Sequence, residues 1–199
     1  MLPGRSQSEA AAVLSLPTAF AAREAVAPRR AALADAQVGA PAGTLIHASI
    51  DGLLELALIL TPDRAVDDET ALRLATLAVM QTLLAIVPPK TPVAAPAPGV
   101  LAVDGGEVAT VTLARGPALD GGIPAWFVLG VTVRLDLRME EPGVTPHLTD
   151  LVELGIEASG AAVLESLCRH LLAMIDLWQT EGAPGIAAAW RTTCALLPA

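Results

Sequence analysis

Few residues in this 199-residue chain have side chains suited to chemistry, and their spacing limits what that chemistry could be. The histidines are His47, His147 and His170, the cysteines are Cys168 and Cys194, and Lys90 is the single lysine. Histidines so scattered make no metal set, and the cysteines lack the CxxC spacing of a zinc or redox site. Cys168 falls on an apolar helical stripe and Cys194 in a second helical segment, so both read as reduced, inert core thiols. One lysine leaves almost no ammonium groups for holding a phosphate. His47, in the apolar run TLIHASI (Thr44–Ile50), reads either as a ligand or base facing a groove or as a structural histidine; Ser49 follows in the same run.

The other segment with site-like residues is VLAVDGGEVATVTLARG, Val100 to Gly116. Asp104, Gly105 and Gly106 form a turn signature between apolar runs, so the segment reads as a hairpin. Its second arm alternates Val108, Thr110 and Thr112 against Ala109, Val111 and Leu113. Glu107 could pair with Arg134 on a neighbouring strand.

The elements that must position these residues follow from periodicity. Alanine-rich Pro17–Ala36 favours helix, divided at Pro28. Thr44–Ile50 and Leu53–Leu60 flank Asp51-Gly52 and read as a hairpin, the second arm as a central strand covered on both faces. Asp67 or Asp68 caps a helix whose apolar residues run from Leu72 to Ile86, before Pro88-Pro89 stop it. Thr91–Gly99 is proline-rich and reads as a surface loop, and Ile123–Leu137 as one long strand. Glu140–Pro146 is a turn-rich loop; Gly160–Trp178 is an amphipathic helix, and Ile186–Leu197 a short last one beyond Gly182–Gly185. Hairpins exclude an all-parallel sheet, so the fold class is α+β, a largely antiparallel sheet with helices packed on it.

Length suits one domain, read as 16–199 behind a loose tail over 1–15. The chain is 53% hydrophobic, but its apolar runs are broken by Glu55, Arg73, Gln81 or proline short of a membrane span. A net charge of −9 offers no field for phosphates, which excludes nucleic acid as a partner and, with the broken runs, a membrane. The apolar stretch Ala10–Ala22 superficially resembles a secretory signal, but only Arg5 precedes it, Glu9 stands at its edge and Pro17 inside it. The expectation is a cytoplasmic protein.

The order of elements and three segments resemble the catalytic domain of biotin protein ligases and lipoate ligases. VDGGEVAT stands where that family has Asp-Gly-x-Lys-Val-x-Gly-Gly, WFVLGVTVRLDL resembles its strand Val-Ile-Gly-Ile-Gly-Ile-Asn, and LESLCRHLLAMIDLWQTEGAPGIAAAWR resembles its closing helix pair. The likeness runs from about Leu16 to Arg191. It implies a class II synthetase-like fold, a groove for biotin or a lipoyl-type acid, adenylation by ATP-magnesium, and transfer to a carrier-protein lysine. The implied reagents are replaced. Glu107 stands for the family lysine and Arg134 for its asparagine; Gly130 matches, and Thr132 replaces the second glycine. IHASIDGL has no counterpart of the Gly-Arg-Gly loop, and of Lys-Trp-Pro-Asn-Asp only Pro98 survives in PAPGV. A carboxylate beside a triphosphate repels the charge it should stabilise.

The reading is therefore a catalytically degenerate ligase-like protein that binds a biotin-, lipoate- or octanoate-like molecule or a carrier-type protein, without ATP-magnesium. Its candidate ligand-binding residues are His47, Ser49, Asp104, Gly105, Gly106, Glu107, Thr110, Gly130 and Arg134. The alternatives are a working ligase or acyltransferase with a non-standard catalytic set, and a structural or assembly subunit. The resemblance also implies a homodimer through the sheet.

Overall fold

A computed structural model describes residues 14–137 and 147–195; the Glu140–Pro146 loop, most of the expected tail and Leu197 lie outside the described residues. In chain order the elements are β1 (Ala21–Glu24), α1 (Pro28–Gln37), β2 (Thr44–Ile50), β3 (Leu53–Leu60), α2 (Asp68–Ile86), β4 (Val93–Ala97), β5 (Val100–Val103), β6 (Gly106–Arg115), β7 (Phe127–Arg134) and α3 (Gly160–Ala195). The seven strands form one sheet in the order β1-β2-β3-β7-β6-β5-β4. Among the described strands, β1 and β2 are the only pair in parallel. The expected α+β architecture is the one observed.

Both Asp-Gly pairs make tight two-residue turns. Asp51 and Gly52 have φ of 52° and 74°, Asp104 and Gly105 50° and 84°, the left-handed pair that matches the twist of a hairpin. At Gly52 there is a second requirement: a Cβ there would collide with the carbonyl oxygen of Asp136, and the Gly52 carbonyl accepts the amides of Leu135 (2.7 Å) and Asp136 (3.1 Å). A Cβ on Gly105 would meet nothing within 4 Å.

Alternation along β3 and β7 sorts the core. On one face Leu56, Leu58, Leu129, Val131 and Val133 pack under α2 and α3; on the other, Ala57, Ile59 and Val128 meet Ala32 and Ala36 of α1. By length and composition α2 could cross a membrane, but here it is a core helix, with Leu74, Leu77, Met80 and Leu83 buried. Asp67 caps it, Oδ1 accepting the Thr70 amide at 2.7 Å, and Asp68 and Glu69 fill its acidic first turn. Gly182 (φ 67°) breaks α3 where two helices were expected.

Three expectations need correction. The helix expected over Pro17–Ala36 is strand β1 followed by α1. Pro28 begins the helix, where a missing amide costs nothing, and the preceding residues gain more by pairing with β2, through Ala21 to Gly43 (2.9 Å) and Ala25 to His47 (3.1 Å). The expected loop Thr91–Gly99 contains edge strand β4, which accommodates Pro96 within an irregular register between Ala94 and Ala97. The strand expected over Ile123–Leu137 is confined to β7, with a short 3-10 turn at Asp120–Gly122 before it. A bulge facing Leu101 and Ala102 also interrupts the alternation in β6, burying both Val108 and Ala109.

Gly105→Ala should cost about 1 kcal/mol in urea unfolding, from backbone conformation alone. Gly52→Ala should cost clearly more, because its Cβ also meets the Asp136 carbonyl. Equal losses would contradict the close approach.

Candidate functional site

The nine candidate residues separate into three places. Thr110, Gly130 and Arg134 lie on the α1 side of the sheet, because Thr110 pairs with Thr132, and Gly130, Thr132 and Arg134 alternate away from the core residues Leu129, Val131 and Val133. Glu107 reaches them: Arg134 donates from Nη2 to Glu107 Oε1 (2.8 Å) and from Nη1 to the Glu107 carbonyl (3.1 Å). The anticipated pair exists, and with side chains only 15% and 27% exposed it is shielded enough to matter. Gly130 gives room: a Cβ there would press on Thr112 Oγ1 and lie 3.5 Å from Arg29 Cδ, so the Arg29 stem crosses the strand at this point. Arg29 has no ion pair among the described residues.

Asp104, Gly105 and Gly106 form the hairpin tip, and each has a structural role. Asp104 and Gly105 supply the turn, and Gly106 leaves space for Thr149, whose side chain a Cβ would strike. The Glu107 amide donates to the His147 carbonyl (2.7 Å), and the Thr149 amide to the Glu107 carbonyl (3.1 Å), so the chain crosses this hairpin beside the ion pair.

His47 and Ser49 lie on the opposite face, opposite Leu56 and Leu54 in the register. They line a groove of about 690 Å³ with Glu24, Val26, Leu54 and the start of α3 at Ser159, Gly160 and Ala161. His47 is 7% exposed. Burial holds its imidazole below the ordinary value, against an opposing pull from Glu24. Ser159 accepts the Ala162 amide on Oγ (3.2 Å) and caps the helix. Ser159 is legible in the sequence as a capping residue before an apolar-periodic run, whereas Glu24 carries no signal, because AARE has no strand alternation.

The other reactive types are structural. His170 Nδ1 and Thr82 Oγ1 are 3.0 Å apart across the α2–α3 contact, and burial lowers its pKa. Cys168 is fully buried, and desolvation pushes its thiol up to about 12. The Cys194 side chain lies outside the described residues. No group of three histidine, cysteine or acidic residues among the described residues could hold a metal ion.

With this geometry in view, a model of the biotin/lipoate A/B protein ligase family matches residues 16–192. The chain belongs to that family. Among solved structures, a biotin protein ligase-like protein of unknown function from Silicibacter sp. TM1040 is similar at 24% identity and TM-score 0.79, over 90% of this chain and 80% of its own. Biotin protein ligase from Aquifex aeolicus gives 14% and 0.69, over 87% and 77%. The Leishmania major enzyme in complex with biotin gives 11% and 0.62, over 88% and 81%. At these identities the likeness is one of fold. No curated protein sequence matches the chain.

Within this ligase-family fold, two departures from the resemblance now have a structural form. Between β2 and β3, where the resemblance implies the Gly-Arg-Gly loop, there is only the two-residue turn Asp51-Gly52. Gly99, in the segment standing for the Asn-Asp pair, is part of the β4–β5 turn, and its amide donates to Thr76 Oγ1 of α2 (2.9 Å).

Two outcomes check this description. In a double-mutant cycle, Glu107→Gln and Arg134→Gln should each destabilise by about 1–2 kcal/mol and couple by roughly 1 kcal/mol, since either alone leaves a shielded group unpaired; additive losses would remove the pair. Peptide mass spectrometry after iodoacetamide at pH 8 should find Cys168 unlabelled in the folded protein and labelled in urea; labelling of the folded state would contradict its burial.

Proposed function

We propose that this protein is a catalytically degenerate ligase-family member that binds a small biotin- or acyl-like molecule, or a carrier-type protein, and does not adenylate a carboxylate. The Glu107–Arg134 pair carries this reading: the position where the resemblance implies a cation for the phosphates holds a carboxylate, and the neighbouring arginine is committed to it. The two-residue β2–β3 turn supports it, since it has no length to close over an acyl-adenylate. The Aquifex aeolicus ligase is known in complex with biotin and ATP. In this reading the nucleotide half of such a site has been lost while the sheet that would carry it is kept. The reading includes a cytoplasmic location and a homodimer.

One observation favours the alternative of a working ligase. Arg29, on α1, crosses Gly130 without an ion pair among the described residues, and could supply a cation from a different element.

One assay addresses both. Pyrophosphate–ATP exchange with magnesium, tested with biotin, lipoate and octanoate in turn, should stay at the no-protein blank. Exchange that depends on one of these acids and disappears in Arg29→Gln would overturn degeneracy in favour of the alternative.

A further inference from the structure

Where residues 61–67 join β3 to α2, the packing between the sheet and the two long helices leaves a small cavity. Pro62 and Val66 of that loop, Ala71 and Leu74 of α2, Leu129 of β7 and Trp178 of α3 line it, and every residue of the lining is apolar. Its volume is about 30 Å³, more than a single water needs. Walls without a donor or acceptor make water a poor occupant, because it would forgo its hydrogen bonds on entering. An apolar body loses nothing of that kind, and it gives the wall atoms dispersion contacts that they lack on the cavity side.

Two arginines sit on the aromatic walls. Arg64 of the loop lies over Trp178, its Cζ 5.7 Å from the ring centroid, and Arg115 lies over Phe127, a further wall residue, at 5.3 Å. Arg115 also ties the loop down, donating from Nη2 to the Val66 carbonyl (2.8 Å) and to Asp68 Oδ1 (2.7 Å). Arg64 donates from Nε to Asp63 Oδ1 (3.1 Å). Each guanidinium is therefore matched to a carboxylate as well as stacked on a ring, so an acid would have to displace an existing partner to gain a cation here. Size narrows the occupant further. Benzene is held by an apolar cavity of roughly 150 Å³. At about 30 Å³ this one suits a much smaller body.

We propose that this cavity is a binding site for one small uncharged apolar body, about the size of a methyl group. It lies on the α2–α3 side of the sheet, where Leu74 and Leu129 belong to the core, and Glu107 and Arg134 are on the other side. It calls for neither an acid nor a nucleotide, so it goes beyond the reading of that pair and does not depend on it.

Xenon is the probe that tests it. The full chain is titrated with xenon under pressure and followed by NMR of the methyl groups and the tryptophan indoles. Saturable shifts should centre on Leu74, Leu129 and Trp178, and benzene should bind at least about tenfold more weakly. Ala71→Val adds methyl groups to the lining from α2 and should abolish those shifts. Thr112→Val, on the opposite face of the sheet, should leave the xenon affinity within about twofold. No saturable shift in the wild-type chain, shifts centred elsewhere, shifts that survive Ala71→Val, or benzene bound as tightly as xenon would each overturn the site. The wild-type shift map and the benzene comparison decide the matter even if Ala71→Val does not fold.

Discussion

The pleat of β7 is the constraint on which the rest of the structure depends. Paired on both sides, with β3 and with β6, this strand has no freedom of register, and its successive residues must point to opposite faces. Leu129, Val131 and Val133 are thereby committed to the core under α2 and α3. Gly130, Thr132 and Arg134 are committed to the other side, where Arg134 finds Glu107. A slip of one residue would bury an arginine and expose three apolar side chains, so core and candidate site are fixed together.

What this fixed face can do is a question of charge. A sheet can keep its twist, turns and packing while the residues projecting from one surface change, because those residues contribute little to the core. Here the surface carries an ion pair that satisfies itself. Arg134 spends two nitrogens on Glu107, and the Glu107 backbone is in turn held by His147 and Thr149. The opposite edge of the sheet is arranged differently. There His47, Ser49 and the α3 start line a groove whose lining holds no arginine or lysine.

Much of this was legible in the sequence because it rests on local rules. The two Asp-Gly turns need left-handed backbone, Asp67 precedes an apolar-periodic run, and Cys168 lies on the buried stripe of its helix. Strand β1 was not legible: AARE has helix-forming residues and no alternation, and it is a strand only because the edge of β2 accepts it. Edge strand β4 was hidden by prolines that exclude a central strand and permit an edge. The split of the candidates between two faces was also out of reach, since it depends on register. His47 and Gly130 looked like parts of one groove until pairing sent them to opposite sides.

The central claim is that the α1 side of this sheet has kept the ligase-type shape and lost the capacity to hold a nucleotide. The most direct measurement is a magnesium–ATP titration of isotope-labelled protein, following the backbone amides of Glu107, Gly130 and Arg134 by NMR. The account predicts no saturable shift at these positions up to millimolar nucleotide. Saturable shifts centred on them would contradict it.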